Sequence, residues 1–200
     1  MDLNNYLYIM IGAIFMSFTI TTERLILTIE DGTKSPDILA FYLRNKDLFE
    51  RFEPTRPTNF YTEAYQNASV SYEYSEIIKG KTLRYYIYLK DQPDTIIGSV
   101  NFSRMEHGPF SKASIGYKLD AAYHGRGYAL EACQAAIPVL FTNYRIHRIE
   151  ARVSPNNLPS IKLLERLNFR FEGIEYESVE VNGQFTDHYR YSLLAPANHT

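Results

Sequence analysis

Residues 124–130 read His-Gly-Arg-Gly-Tyr-Ala-Leu and stand between two segments of different period. Before them, Ser114-Ile115-Gly116-Tyr117-Lys118-Leu119 is strand-like. After them, Ala129-Leu130-Glu131-Ala132-Cys133-Gln134-Ala135-Ala136-Ile137 is helix-like. A glycine-rich turn from strand to helix aims several backbone N–H groups at one point. The first turn of a helix has unpaired donors and a partial positive charge, so a phosphate suits it. Gly125 and Gly127 carry no side chain to hold a bulky pyrophosphate away from the backbone. The segment therefore predicts a phosphorylated cofactor; its plainer reading is an ordinary tight turn.

Two common phosphate binders do not fit. A dinucleotide fingerprint wants Gly-x-Gly-x-x-Gly early in a βαβ unit, followed by an acidic residue at the end of the second strand. Here Leu130 takes the place of the third glycine, and the turn lies past the middle of the chain. A nucleotide P-loop needs Gly-Lys-Ser/Thr, which does not follow.

A second strand-to-helix passage lies downstream. Arg148-Ile149-Glu150-Ala151-Arg152-Val153 alternates apolar and charged residues, as a half-buried strand does. Ser154-Pro155-Asn156-Asn157-Leu158-Pro159-Ser160 is rich in helix-capping residues and leads into an amphipathic run ending at Asn168-Phe169. Asn157 or Pro159 can open that helix, and Asn168 can close it in a left-handed conformation. Elsewhere the pattern predicts strands at 22–29, 84–89, 95–103, 113–119, 170–179 and 185–194. It predicts helices at 36–45, 61–79, 127–143 and 157–167. Gln92-Pro93-Asp94 and Asn182-Gly183 read as hairpin turns, the second more strongly. Pro138 should kink the third helix, more than two turns from its start. Meandering strands followed by strand-helix-strand-helix suit an α/β (α+β) mixed sheet better than a doubly wound one.

These residues resemble a known family. His-Gly-Arg-Gly-Tyr-Ala is similar to the acetyl-CoA pyrophosphate loop of the GNAT N-acetyltransferases, usually Gln/Arg-x-x-Gly-x-Gly/Ala. The closer resemblance is to the branch containing bacterial ribosomal-protein N-terminal acetyltransferases. It is carried by Thr22-Glu23-Arg24-Leu25-Ile26-Leu27, Ile115-Gly116-Tyr117-Lys118-Leu119-Asp120, Arg148 to Val153 and Asn157-Leu158-Pro159-Ser160. It continues through Leu163 to Phe169, Val181-Asn182-Gly183-Gln184-Phe185 and Tyr191-Ser192-Leu193. The resemblance implies a GNAT acyl-CoA N-acyltransferase fold: a mixed, mostly antiparallel seven-stranded sheet with helices on both faces and two splayed central strands holding the cofactor.

It also implies roles. Acetyl-CoA, as co-substrate, would meet Tyr117, Leu119, His124, Gly125, Arg126, Gly127, Tyr128 and Ala129, with Asn157 and Ser160 on its pantetheine arm. Glu150 occupies a position resembling the catalytic acid of ribosomal-protein-alanine acetyltransferases; its plain reading is a strand carboxylate paired with Arg148 or Arg152. Ser114 departs from relatives that carry a carboxylate there. Leu164 stands where several relatives keep a tyrosine that protonates the leaving thiolate, which makes Ser160 the candidate proton donor. His124 replaces the usual Gln or Arg. The loop Glu50 to Pro57 shapes the acceptor entrance in relatives, and Phe52 replaces a common Trp there. Glu53, Glu177 and Asp187 could attract a cationic amine.

Length and composition agree with a compact enzyme. Two hundred residues can bury a proper core, and 45% apolar with 22% charged residues is ordinary globular material. A net charge of −2 argues against broad nucleic-acid binding. The single cysteine, Cys133, has no internal partner, which favours a reducing compartment and a cytoplasmic protein. Its neighbours make it a buried structural thiol. His107, His124, His147, His188 and His199 lack metal-ligand spacing, so no metal is expected. Residues 1–15 stand apart from a domain spanning 16–200. Their apolar run is too short for a comfortable bilayer span and lacks the basic start of a secretory signal, so no membrane partner is expected and Met16 is a candidate start.

Acetyl transfer needs a neutral amine, a thioester beside it and a place for the developing oxyanion. An α-amine of pKa near 8 is about one-tenth neutral at pH 7, whereas a lysine near 10.4 is neutral in about four molecules per ten thousand. The lysine therefore needs roughly 3 kcal/mol more help. The favoured reading is direct acetylation of a protein N-terminus in a ternary complex. The alternatives are acetylation of a small amine (polyamine, amino acid or antibiotic) and a non-catalytic CoA-binding sensor.

Overall fold

The computed structural model describes residues 8–11 and 14–197. Its main sheet has eight strands: β3 (Thr19–Thr21), β4 (Leu25–Thr28), β5 (Leu83–Leu89), β6 (Gln92–Glu106), β7 (Lys112–Leu119), β8 (Arg148–Val153), β9 (Arg170–Val181) and β10 (Gln184–Leu194). Their order across the sheet is β3-β4-β5-β6-β7-β8-β10-β9. Strands β1 (Tyr8–Ile11) and β2 (Ile14–Ser17) pair only with each other. The helices are α1 (Ser35–Arg44), α2 (Lys46–Glu50), α3 (Glu63–Ile78), α4 (Tyr128–Thr142) and α5 (Leu158–Arg166). Among the described residues, no helix is long and apolar enough to cross a membrane.

The sheet has eight strands rather than the seven expected, because Thr19–Thr21, ahead of the expected run 22–29, forms a strand of its own, while only Leu25–Thr28 of that run is strand. Thr22 Oγ1 accepts from the Leu25 amide at 3.0 Å and folds the chain into a β3–β4 hairpin at that point. The first hairpin turn also moves. Leu89 pairs with Gln92, so the turn is Lys90-Asp91, and Pro93 falls in a bulge before Tyr88 pairs with Ile96. A residue without an N–H is tolerated in such a bulge because no ladder bond is asked of it. Asn182 and Gly183 form the last turn as expected, both with positive φ (51° and 78°). Helix α4 runs on through Pro138; the carbonyl that loses its N–H partner is that of Gln134, and both residues are exposed, so it lies on the wet side.

Two cores flank the sheet. On one face α4 and α5 cover Leu25, Leu27, Tyr85, Val100, Phe102, Ile149 and their neighbours; on the other α1 covers Tyr86, Tyr88 and Ile96. Helix α4 packs Ala132, Cys133 and Ala136 near its start and the bulkier Leu140 and Phe141 near its end. Small side chains let the helix start approach the sheet closely. Burial pushes the Cys133 thiol up to about 12, so it stays protonated and structural.

One break in the sheet positions everything that follows. β7 and β8 are parallel neighbours, yet they pair only through Lys112↔Arg148, Ala113↔Ile149 and Ser114↔Glu150. Beyond these, Ile115–Leu119 keeps only β6 as a partner, and Ala151–Val153 keeps only β10. A wedge-shaped gap opens, bordered by the unladdered edges of two interior strands of the sheet.

Candidate active site

The glycine loop stands at the wide end of that gap. Leu119 leads through a 3₁₀ turn (Ala121–Tyr123) to His124, then Gly125 (φ 75°), Arg126, and Gly127 (φ 81°) at the N-cap of α4. Two left-handed positions two residues apart require glycine and throw the backbone around a concave bend. Among the described residues, no protein group accepts from the amides of Gly125 through Leu130; the first paired donor is Glu131, whose N–H reaches the Gly127 carbonyl at 3.1 Å. Among the described residues a Cβ on Gly125 would meet nothing within 4 Å, so none of them closes this side of the loop. Unpaired amides, an open approach and the positive end of a 15-residue helix make a seat for a diphosphate.

The loop is fixed from both sides by residues far away in sequence. At its entry Asp120 is buried, accepts from the Ala122 amide at 3.0 Å and pairs with Arg44 of α1. Asn45 Oδ1 accepts from the Ala121 amide at 3.0 Å. At its exit Glu131 accepts from Thr22 Oγ1 (2.6 Å), the Arg24 amide (2.9 Å) and Arg24 Nε (2.7 Å). Arg24 Nη1 also donates to the Arg126 carbonyl at 2.9 Å, and its guanidinium lies 4.6 Å from the Tyr128 ring centroid. Burial pushes the Glu131 carboxyl up, but the bonds from Thr22 and Arg24 outweigh it and hold it below the usual carboxylate range. The carboxylate therefore stays ionised and latched near neutral pH, and the latch weakens only on acidification through that depressed value. Sequence reasoning assigned no role to Arg24, Thr22, Glu131, Arg44, Asn45 or Asp120; the segment Thr22-Glu23-Arg24 stood out in it only as part of a resemblance.

His124 and Arg126 turn away from the amides. His124 Nε2 lies 2.9 Å from the Leu119 carbonyl, which only accepts, so the ring proton sits on Nε2 and the ring braces the loop. Arg126 is exposed, with its guanidinium 5.8 Å from the Tyr123 ring centroid. Ala129 lies partly buried in the first turn of α4.

Between the loop and the last β7–β8 pair, Tyr117 of the separated half of β7 meets Ser160. Tyr117 reaches across the gap from β7, its hydroxyl 2.7 Å from Ser160 Oγ and 3.2 Å from the Ser160 carbonyl. Burial pushes the Tyr117 phenol well above its ordinary value, so it remains a donor. With Tyr117 donating, the Ser160 proton is free to point elsewhere. Asn157 caps α5, its Oδ1 accepting from the Ser160 amide at 3.2 Å, while its Nδ2 has no partner among the described residues. Leu164 is fully buried core.

Glu150 lies on the opposite sheet face. Ile149, Ala151 and Val153 of β8 enter the core beneath α4 and α5, so Arg148, Glu150 and Arg152 point the other way. Arg148 Nε donates to Glu150 Oε1 at 2.8 Å, and Arg148 also pairs with Glu172. Glu150 is therefore paired as its plain reading expected. Its Oε2, however, has no partner among the described residues, and its side chain is 15% exposed. Ser160 and Glu150 are thus not in contact; they address the gap from its two faces. On Glu150's face, Glu53 pairs with both Arg56 and Lys118. Glu177 and Asp187 are tied to each other through the Glu177 amide, at 2.8 Å. Among the described residues no three His, Cys, Asp or Glu side chains form a cluster that could hold a metal.

A family model described as "Acetyltransferase (GNAT) domain" matches residues 24–170. The chain belongs to the GNAT acetyltransferase family. It is 33% identical to a probable N-acetyltransferase, YjcK, of Bacillus subtilis over 164 residues, 82% of this chain and 90% of the relative. The fold of this GNAT protein superposes on the ribosomal-protein-S5-alanine acetyltransferase of Vibrio fischeri with a TM-score of 0.85 and 25% identity, covering 90% of this chain and 97% of that one. It superposes on Mycobacterium smegmatis RimJ, solved in complex with CoA-disulfide, with a TM-score of 0.80 and 26% identity, covering 86% and 82%. As a GNAT member the chain is an acetyl-CoA-dependent N-acetyltransferase.

Proposed function

We propose that this enzyme acetylates the N-terminal α-amine of a protein, by direct attack on acetyl-CoA in a ternary complex. The observation that carries the reading is the gap between β7 and β8, approached by unpaired amides and Ser160 from one face and by a half-free carboxylate from the other. The amides of Gly125–Leu130 take the diphosphate, with Tyr128 and Ala129 in the first helical turn. The free Nδ2 of Asn157 and the edge of Tyr117–Leu119 line the pantetheine path. Glu150 Oε2 receives the ammonium proton, directly or through a water. As the C–N bond forms and the C–S bond breaks, the nitrogen's surplus proton leaves to water. Ser160, which regains its own proton from water, donates to the departing thiolate while Tyr117 holds its oxygen. A free thiol has a pKa near 8.5, so this donor need only be weak. A protein N-terminus is favoured over lysine because an α-amine, about one-tenth neutral unaided at pH 7, asks far less of a carboxylate base than a lysine does. Kinship with ribosomal-protein-alanine acetyltransferases supports the same acceptor class, and a cytoplasmic, ribosomal acceptor is the natural candidate.

Free-thiol release should be measured across peptides beginning with Ala, Ser or Met and across a panel of polyamines, amino acids and aminoglycosides. Peptides should turn over with kcat/KM at least about tenfold above any small amine. A small amine that outpaces every peptide would overturn the acceptor assignment.

The exit latch gives a second expectation. Arg24→Met leaves the Glu131 carboxylate uncompensated beside the diphosphate seat, and acetyl-CoA Kd should rise about tenfold. Calorimetry giving wild-type affinity would show that Glu131 and the loop hold their places without Arg24.

A further inference from the structure

On the face that carries Glu150, a cavity of about 460 Å³ lies between α3 and the sheet. Its lining holds four cationic side chains, Arg56, Lys81, Arg84 and Lys118, against two carboxylates, Glu73 and Glu76. The cations are held in place but incompletely used. Arg84 spends Nε on both oxygens of Glu73 (2.9 and 2.7 Å), and its Nη1 is buried without a partner among the described residues. Arg56 stacks 3.9 Å above the Phe60 ring centroid and pairs with Glu53, yet among the described residues its buried Nε has no partner. The Ser99 hydroxyl, also buried and unpaired among the described residues, stands in the ladder row between Tyr86 and Lys118, which line the same cavity. With Glu53, which pairs with Arg56 and Lys118, counted beside Glu73 and Glu76, four cations still stand against three carboxylates, and the unsatisfied donors call for an anionic acceptor.

The cavity adjoins the reaction gap. Lys118 belongs both to its wall and to the separated half of β7. Arg84 sits in the row Arg84–Asn101–Gly116, so it lies two strands, or roughly 10 Å, from the edge where the amine must arrive. The amine and carboxylate of a free α-amino acid hang on one carbon, within roughly 4 Å of each other. A side-chain carboxylate on the second residue of a peptide spans the longer distance.

Building on the N-terminal acceptor reading, we propose that this cavity is a specificity subsite that binds the side-chain carboxylate of an acidic second residue in the acceptor peptide, through Arg84 and Lys118. The same cations favour the neutral form of the incoming amine, because a positive surrounding disfavours an ammonium.

The test compares peptides that begin Ala-Glu, Ala-Gln and Ala-Lys and are otherwise identical, with free glutamate and aspartate as further arms. The Glu peptide should exceed its Gln isostere in kcat/KM by about tenfold or more, chiefly through KM, with the Lys peptide poorest. Arg84→Met should bring the Glu-to-Gln ratio close to one. Because Arg84 also holds Glu73, its melting curve is recorded, and Lys118→Met, which should likewise shrink the ratio, serves if Arg84→Met does not fold. Equal kcat/KM for Glu and Gln peptides, or free acidic amino acids outpacing the peptides, would overturn the subsite while leaving acetyl transfer intact. Should no peptide be acetylated, the N-terminal reading fails, and calorimetry with N-acetylated Ala-Glu and Ala-Gln peptides in the presence of CoA decides the subsite. Preference for Glu sustains it; equal or absent binding refutes it.

Discussion

Gly127→Glu is expected to raise the acetyl-CoA Kd by at least about a hundredfold while leaving the protein folded. The residue is the N-cap of α4 at φ 81° and ψ 1°, where any L side chain costs about 1 kcal/mol. In a chain of this length that strain lowers Tm by roughly 2–4 °C. The new Cβ would lie 3.5 Å from Arg24 Nη2, an ordinary contact, so no further disruption is expected. The large effect is electrostatic: a carboxylate at this position competes for the open amides and repels a diphosphate. Gly127→Ala separates the two contributions, since it carries the strain without the charge and should weaken binding far less. Calorimetry and thermal melting read both. Near-wild-type affinity in Gly127→Glu would mean that the diphosphate is held somewhere else.

Glu150→Gln should lower kcat/KM at pH 7 by about 10²- to 10⁴-fold, with acetyl-CoA affinity unchanged. The glutamine can still accept from Arg148 through Oε1, so the strand pairing and its neighbours are kept; only the basic oxygen is lost. The pH profile carries the sharper test. An α-amine becomes neutral unaided near its own pKa of about 8, so the deficit should shrink as pH rises from 6 to 9. A deficit that stays constant over this range would point to a positional role for Glu150, and full activity at pH 7 would place the base elsewhere.

The parts of this molecule written in local periodicity were legible in its sequence. Alternation in 148–153 gave β8 and the side on which Glu150 emerges; glycines at 125 and 127 gave the loop; Asn157 and Asn168 gave the two ends of α5, with Asn168 at φ 63°. Pairings that join distant segments were not legible. Glu131 meets the Arg24 amide across 107 residues, and Ala121 meets Asn45 across 76. Nothing in the spacing around either residue announces its partner, because each is individually an ordinary helix or turn residue. The hairpin turn was misplaced for a related reason: Pro93 punctuates a sequence strongly, yet the sheet absorbed it in a bulge and turned at Lys90-Asp91. Arg148 illustrates the intermediate case. Its neighbour Glu150 was foreseeable as a partner two residues away, but Glu172, on a strand that is not its immediate neighbour, was not.

The diphosphate seat is consequently a tertiary object, although its sequence signature is short and contiguous. Residues 124–131 acquire their shape only when the hairpin containing Arg24 and the end of α1 have docked on either flank. A fragment beginning at β7 would retain every residue of the signature and still lack the rigid cradle, so grafting the heptapeptide onto another scaffold should not transfer affinity. During synthesis the same dependence reverses: the clamps emerge from the ribosome 107 residues ahead of Glu131 and 76 residues ahead of Ala121, and the cradle can set as soon as α4 arrives.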